Sequence, residues 1–265
     1  MTALVFNVLI VVGWLVWSFL FWRSLRHEAV EEDRIFDLTF YSTLVAFIVS
    51  RLGFVVTHGD LFWGKSPLLV GALWVTPGLS WLAGLIGGVA TLTFLSRRYH
   101  VRLGLILDAL ALSLPPALVL GETGAFAAFY IIGRQTNLPW AIRMGNDAIA
   151  RHPVSLYVIL GIILVSIVVY RLGRVSSVRK WPYGIVGVWF FLLYSVSMFA
   201  LEFVKDSRVY WGYLTANQWM LIGIFAESVG VLYVRGGGRE RLRPVARKLY
   251  EFISKRYARW HTKAS

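Results

Sequence analysis

Cysteine is absent from this sequence, and its absence limits the chemistry that the side chains can perform. No disulfide can form, no thiolate can hold a metal ion, and no cysteine can act as a nucleophile. The His residues and carboxylates do not follow the spacing of a metal site. We therefore expect neither a metal nor a cofactor, and any thiol in the chemistry must belong to a substrate.

Charged residues are also scarce, at 15% of 265 positions, whereas hydrophobic residues make up 57% and the mean hydropathy is +0.64. The apolar residues fall in runs of about 20, the length that a helix needs to cross a membrane. A soluble domain is excluded by this composition. The sequence predicts an all-α integral membrane protein.

Seven runs are predicted to be transmembrane helices, with one shorter segment between the second and the third. The seven runs cover residues 2–22, 38–56, 79–95, 103–120, 154–170, 185–204 and 219–234. The shorter segment, 61–75, is interrupted by glycine and proline and predicts a re-entrant or interfacial element. Gly84, Gly87 and Gly88 in the third run predict a close helix contact or a lipid head group that reaches the backbone.

The net charge of +13 is distributed unevenly among the loops. Twenty of the 27 Lys and Arg residues lie in the segments 23–37, 97–102 and 171–180 and from 235 onward. Positive loops face the cytoplasm, so we expect the N-terminus outside and the C-terminus in the cytoplasm of a bacterial inner membrane. Because the orientation in the membrane explains most of the positive charge, this charge does not indicate a nucleic-acid partner.

Residues 236–265 are predicted to form a basic cytoplasmic tail that follows a transmembrane bundle of residues 1–235. After three glycines, apolar residues recur at helical spacing among basic ones: Leu242, Val245, Leu249, Phe252, Ile253 and Trp260. This pattern favours an amphipathic helix on an anionic membrane surface. A helix that binds a soluble partner, or a disordered tail, is the alternative.

Four ionisable residues lie inside the predicted spans, where a charge needs a partner or a cavity. Arg51 suits a lipid phosphate, but a structural ion pair with Asp108 or Glu202, or snorkelling, is equally compatible with the sequence. For Asp108 a structural pair or a helix-start role is favoured over catalysis. Glu202 belongs either to a site or to a solvated charged edge, and Glu227 is predicted to face the bundle interior.

The segment from Gly121 to Arg134 follows a helix that Pro115 and Pro116 are expected to interrupt, and it opens the longest loop between apolar runs. Such a break at membrane depth, carrying Glu122, predicts the wall of a site. His152 is the histidine best placed for acid–base work, although an ordinary role at a helix start is the alternative.

Several motifs, taken in order, resemble those of the prolipoprotein diacylglyceryl transferases of bacterial inner membranes. They are S-R-L-G-F at 50–54, G-L-S-W-L-A-G-L-I-G at 78–87, Asp108, the glycine frame of 121–134, R-H-P-V-S-L-Y at 151–157, L-E-F-V-K at 201–205 and A-N-Q at 216–218. Their order and spacing, and the number of spans, agree over about residues 40–235.

The resemblance implies transfer of the diacylglyceryl group of phosphatidylglycerol to the cysteine thiol of a lipoprotein precursor, without a metal. Such a reaction needs cations for the phosphate leaving group and a base for the thiol. The positions that match the family pattern are Arg51, Gly124, Gly133, Arg151, His152, Pro153, Tyr157, Glu202 and Gln218. We expect Arg51, Gly124, Gly133, Arg134 and Arg151 to bind substrate, with His152 and Glu202 as catalytic candidates.

Five polar positions depart from the family pattern. Leu82 replaces a His, Glu122 and Ala125 replace an Arg and an Asn, Tyr130 replaces a Glu, and Met198 replaces an Arg. The carboxylate of Glu122 would repel a phosphate, since like charges about 4 Å apart cost about 1 kcal/mol even in water.

Two hypotheses follow from this mixture. In the first, the chain is a diverged transferase in which Arg51 and Arg134 or Arg151 hold the phosphate and His152 is the base. In the second, it is a non-catalytic family member that binds membrane lipid or lipoprotein as a scaffold. An unrelated transporter is disfavoured, because no internal repeat is visible.

Overall fold

The computed structural model describes residues 2–143, 148–206 and 210–235, together with positions 237, 240 and 244. Within these residues the framework is α-helical: α1 is Thr2–His27, α2 Glu32–Thr57, α3 Trp81–Arg98, α4 Leu103–Ala127, α5 Val154–Arg179, α6 Ile185–Glu202 and α7 Ala216–Arg235. Strands β1 (Ile142–Arg143) and β2 (Ala150–Arg151) form one short antiparallel pair, and β3 (Tyr210–Trp211) and β4 (Leu214–Thr215) form another. The predicted all-α class is confirmed.

Among the described residues, five helical segments are long and apolar enough to cross a membrane. They are Leu4–His27, Glu32–Thr57, Leu103–Ala127, Val154–Arg179 and Ile185–Glu202. Helices α3 and α7 do not meet the same measure of length and hydropathy, so the total of seven spans stays a prediction. The predicted tail helix lies outside the described residues, apart from the isolated positions 237, 240 and 244.

Helix α4 is the centre of the bundle, since it packs against α1, α5 and α6 and touches α3. Helix α2 packs mainly against α3, and α7 packs mainly against α6. Phe21, Leu25, Ile35 and Ile106 belong to a core that joins α1, α2 and α4. A second set of buried apolar residues fills the space between α4, α5 and α6. The two sides of α4 therefore carry different groups of helices.

The predicted interruption of α4 is wrong. The helix continues through Pro115 and Pro116 and ends only at Ala127. The two prolines remove the donors that Ala111 and Leu112 would bond, but inside a membrane bundle neighbouring groups and local adjustment tolerate such a loss. As a consequence, Glu122 lies on a helix and not in the following loop.

Glycines bring α2 and α3 into direct contact. A Cβ atom added at Gly53 would lie 2.3 Å from the Cβ of Ala83, and one at Gly87 would lie 2.8 Å from the Cβ of Val49. Gly84 is similarly close to the Cβ of Ser50, at 3.0 Å. The close helix contact predicted from these glycines is confirmed.

Asp108 fixes the start of α6. Its Oδ2 accepts a hydrogen bond from the Gly184 backbone N (2.7 Å), and its Oδ1 accepts one from the Gly187 N (2.7 Å). A carboxylate there satisfies free N–H groups and complements the helix dipole. The predicted helix-start role is confirmed, and the helix concerned is α6.

Candidate functional site

Arg51 is buried on α2, with 6% of its surface exposed. All five of its N–H donors bond to residues 69–78, which we call the strap. Nε donates to Val70 O (2.7 Å), Nη1 to Thr76 O (2.7 Å) and Gly78 O (3.0 Å), and Nη2 to Leu69 O (2.9 Å) and Thr76 Oγ1 (3.0 Å). The guanidinium carbon also lies 5.5 Å and 5.3 Å from the ring centroids of Phe54 and Phe62.

These contacts give Arg51 a structural task. In the described part of the chain no carboxylate pairs with it, so the anticipated ion pair with Asp108 or Glu202 is wrong. Five donors matched to protein oxygens satisfy the guanidinium at this depth. Binding of a phosphate by Arg51 remains a prediction, and it would require the exchange of bonds to the strap.

Glu202 is the last residue of α6 and is only 3% exposed, so the alternative of a solvated charged edge is wrong. Its Oε2 lies 2.8 Å from the Nζ of Lys205. Its Oε1 accepts hydrogen bonds from Asn217 Nδ2 (3.0 Å) and Thr215 Oγ1 (3.4 Å). A buried carboxylate with these partners joins the end of α6 to the start of α7.

The start of α7 is held by a reciprocal pair of hydrogen bonds. Thr215 Oγ1 accepts from the Gln218 N (3.2 Å), while Gln218 Oε1 accepts from the Thr215 N (3.0 Å). This is a capping box, which satisfies two free N–H groups of the first turn. It positions Thr215 and Asn217 beneath the carboxylate of Glu202.

Glu122 points from α4 toward α5 and α6. It interacts with Ser155 and lies in the field of Lys205. Its Oε2 is buried and has no hydrogen-bond partner among the described residues. Glu122 does not pair with Arg51. We use the name chamber for the cluster of side chains formed by Glu122, Ser155, Glu202 and Lys205.

Tyr194 lies on the face of α6 that also carries Glu202, and it interacts electrostatically with Glu122, so we count it with the chamber. Tyr194 was not predicted from the sequence as a site residue. Residues 194, 198 and 202 are spaced by four and share one face of α6, and that spacing was the available signal. Met198, between Tyr194 and Glu202, is 8% exposed and packs among apolar neighbours.

A small sheet-like layer includes Lys205, one of the residues of the chamber. Residues 132–135 lie between residues 150–152 and 204–206: Gly133 pairs with Lys205, and Gln135 pairs with Arg151. The Arg134 N donates to Val204 O (2.9 Å), and the His152 N donates to Arg134 O (3.0 Å). A Cβ at Gly133 would lie 2.2 Å from the His152 O, so the layer needs glycine there.

The predicted cations of this region lie at the layer. Arg151 Nη1 donates to Gly133 O (3.2 Å) and lies 3.4 Å from Asp206 Oδ2. Arg134 is exposed, and its Nε donates to Lys205 O (3.3 Å). The structure thus brings Arg134, Arg151 and Lys205 together near the chamber.

His152 is engaged by a neighbouring tyrosine. Its Nδ1 lies 3.3 Å from the hydroxyl of Tyr157, which also accepts a hydrogen bond from Trp140 Nε1 (2.6 Å). Gly124 lies against α1, where an added Cβ would be 3.2 Å from the Cα of Phe6. Its contacts are those of helix packing, and its role in binding substrate remains a prediction.

Glu227 was predicted to face the bundle interior, and this prediction is wrong. Its side chain is exposed on α7. Because α7 packs mainly against α6, much of its surface is left uncovered by protein. Glu227 contributes nothing to the chamber.

An apolar helix bundle with buried acidic and basic groups at one end defines an integral membrane protein with an interior polar site. The chain belongs to the prolipoprotein diacylglyceryl transferase family, whose sequence profile matches residues 2–234.

Curated relatives agree with this assignment. The phosphatidylglycerol–prolipoprotein diacylglyceryl transferase of Nitratidesulfovibrio vulgaris (strain DP4) is 30% identical over 227 residues, which cover 82% of this chain and 84% of that protein. The protein of the same name from Bordetella avium (strain 197N) is 30% identical over 214 residues, covering 78% and 79%. That of Polynucleobacter asymbioticus is 29% identical over 202 residues, covering 74% and 76%.

Proposed function

We propose that this protein transfers the diacylglyceryl group of phosphatidylglycerol to the cysteine thiol of a lipoprotein precursor. Family membership over nearly the whole chain supports the reaction class. The observation that carries the proposal is the chamber, where Glu122 Oε2 is buried without a hydrogen-bond partner among the described residues and lies in the electrostatic field of Lys205.

The reaction requires one bond to form and one to break. The thiol sulfur forms a bond to the terminal glycerol carbon of the diacylglyceryl group, and the bond from that carbon to a phosphate oxygen breaks. Glycerol phosphate leaves with the bonding electrons, and the thiol proton passes to a base. Glu122 Oε2 is our candidate for that base, because it is buried and has no hydrogen-bond partner among the described residues.

The position of Glu122 fits the change in charge during this reaction. Before the reaction its carboxylate and the lipid phosphodiester repel each other, by about 1 kcal/mol at about 4 Å in water and more in a dry site. Once Glu122 has accepted the thiol proton it is neutral, just as the phosphate gains its second negative charge. Lys205 and Arg151 are paired with Glu202 and Asp206 in the structure, so in this proposal they turn from these carboxylates toward the leaving phosphate, a stabilisation of the kind that favours the transition state.

We propose that this chemistry takes place on the outer side of a bacterial inner membrane, and the distribution of Lys and Arg supports this orientation. Helix ends rich in Lys and Arg face the cytoplasm, so the chamber lies at the opposite end, where the loops hold few cations. The basic tail would then contact anionic lipid on the cytoplasmic surface.

A non-catalytic role in lipid or lipoprotein binding is the second candidate, and one observation favours it. The positions at which the family pattern carries polar groups hold Leu82, Ala125, Tyr130 and Met198 here, in addition to Glu122. Loss of a single group that stabilises a transition state costs about 3–4 kcal/mol, so the loss of several must be compensated elsewhere.

Complementation separates the two candidates. Cells depleted of their own transferase should grow when they express this chain, and growth should fail with Glu122→Gln. Glu227→Gln is the matched control, because it removes an exposed carboxylate far from the chamber. If the unmodified chain reaches the membrane in normal amounts without restoring growth, the non-catalytic role is favoured.

A further inference from the structure

A groove of about 700 Å³ runs between α4 and α5, outside the chamber. Its lining is mostly aliphatic and includes Pro115, Pro116, Leu120 and Ile167. Tyr170 and Arg171 lie at one end of it, at the basic side of the bundle. The volume is that of a ligand pocket, and the walls suit a hydrocarbon chain.

The length of the groove matches one leaflet of a membrane. It extends along α4 from Ala111 to Leu120, which at 1.5 Å per residue is about 13.5 Å. The hydrocarbon core of a bilayer is about 30 Å thick, so one leaflet contributes about 15 Å. An acyl chain of the leaflet on the basic side therefore fits the groove from end to end.

The mouth of the groove suits a phosphate. Arg171 is exposed, and no carboxylate among the described residues pairs with it. The Tyr170 hydroxyl oxygen accepts a hydrogen bond from Arg174 Nη2 (2.9 Å), and the Arg174 guanidinium lies 4.7 Å from the tyrosine ring. The hydroxyl hydrogen of Tyr170 thus remains for donation. Two guanidinium groups and one hydroxyl match the charge and the oxygen atoms of a lipid phosphate.

We propose that this groove is a binding site for an anionic phospholipid, with one acyl chain between α4 and α5 and the phosphate at Arg171 and Tyr170. The site is separate from the chamber. Arg171 is 16 residues along α5 from Ser155, a distance of about 24 Å for a helix. A head group bound at Arg171 therefore cannot take part in chemistry in the chamber.

The absence of cysteine allows a direct test with the full chain in lipid nanodiscs. A bimane label on Leu112→Cys would report the groove, and the same label on Leu164→Cys would report ordinary lipid, because Leu164 is 64% exposed and does not line the groove. Each protein is titrated with phosphatidylglycerol and then with phosphatidylcholine, both carrying brominated acyl chains that quench the label.

We expect quenching at position 112 to favour phosphatidylglycerol about tenfold, because both lipids carry the phosphate but only phosphatidylcholine brings a cation close to Arg171 and Arg174, and like charges repel. At position 164 the two lipids should quench equally. Arg171→Ala should abolish the preference at position 112, whereas Arg179→Ala, which removes an exposed arginine outside the groove, should preserve it. The proposal would be overturned if the ratio of quenching by phosphatidylglycerol to quenching by phosphatidylcholine were the same at positions 112 and 164. It would also be overturned if Arg171→Ala kept the preference for phosphatidylglycerol at position 112.

Discussion

Replacing Arg51 should release the strap without unfolding the bundle. Five hydrogen bonds join its guanidinium to residues 69–78. A typical hydrogen bond contributes about 0.5–1.5 kcal/mol after exchange with water, and the strap is partly exposed, so we take about 0.7 kcal/mol for each. The total of about 3.5 kcal/mol corresponds to a change of about 300-fold in the opening equilibrium.

Hydrogen exchange measured by mass spectrometry checks this magnitude. The strap amides of Ala72 and Thr76 are bonded to backbone oxygens within the same segment, so their exchange reports its opening. In Arg51→Ala these amides should exchange about 300-fold faster, while peptides from α4 and α5 should be unchanged.

Arg51→Lys should give an intermediate rate, because an ammonium group has three donors and cannot span the carbonyls of both Leu69 and Gly78. Arg98→Lys is the matched control, since Arg98 is exposed at the end of α3. Unchanged exchange of the strap in both Arg51 variants would refute the structural role assigned to this residue.

Three further substitutions test contacts that fix helix starts and the packing of the small sheet-like layer, each by thermal unfolding in detergent. In Asp108→Asn the side-chain NH2 group faces the backbone N–H of Gly184 or Gly187, so one hydrogen bond is lost and the free energy of unfolding should fall by about 1.5–3 kcal/mol. An unchanged unfolding midpoint would show that the start of α6 does not need this carboxylate. Thr215→Val removes the hydroxyl that accepts the hydrogen bond of the capping box and should lower the free energy of unfolding by about 1 kcal/mol. An unchanged unfolding midpoint would show that the remaining bond, from the Thr215 N to Gln218 Oε1, is sufficient. Gly133→Ala forces a Cβ against the His152 carbonyl and should lower the free energy of unfolding by about 1–3 kcal/mol. Gly223→Ala is the control, because nothing lies close to its Cβ position, and it should leave stability unchanged. Equal stabilities of the two variants would contradict the close packing at Gly133.

The sequence predicts those features that depend on local pattern and composition. Long apolar runs indicate membrane helices, and the glycines at 84 and 87 indicate a close helix contact, because backbone approach requires the absence of a side chain. The motifs of 50–54, 78–87 and 151–157 led to the correct family. A helix-start role for Asp108 is also suggested by its residue type, but the helix that it caps, α6, is distant in sequence and is identified only by the structure.

Other features depend on contacts that are distant in sequence. The backbone carbonyls that bind Arg51 belong to the strap, and no sequence motif in the strap predicts that it would bind a guanidinium group. The continuity of α4 through its prolines depends on neighbouring helices, and the exposure of Glu227 depends on how little of α7 is covered. Lys205 and Glu122 interact electrostatically although they are 83 positions apart in the sequence.

The mass of a product peptide shows whether the protein, with Glu122 in the chamber, catalyses diacylglyceryl transfer. Purified protein would be incubated with phosphatidylglycerol and a peptide containing the lipoprotein cysteine, beside an active relative as control. We predict a peptide heavier by one diacylglyceryl group, and a rate at least about 100-fold lower for Glu122→Gln, consistent with general base catalysis. Unmodified peptide under conditions in which the relative is active, or full activity of Glu122→Gln, would contradict the account.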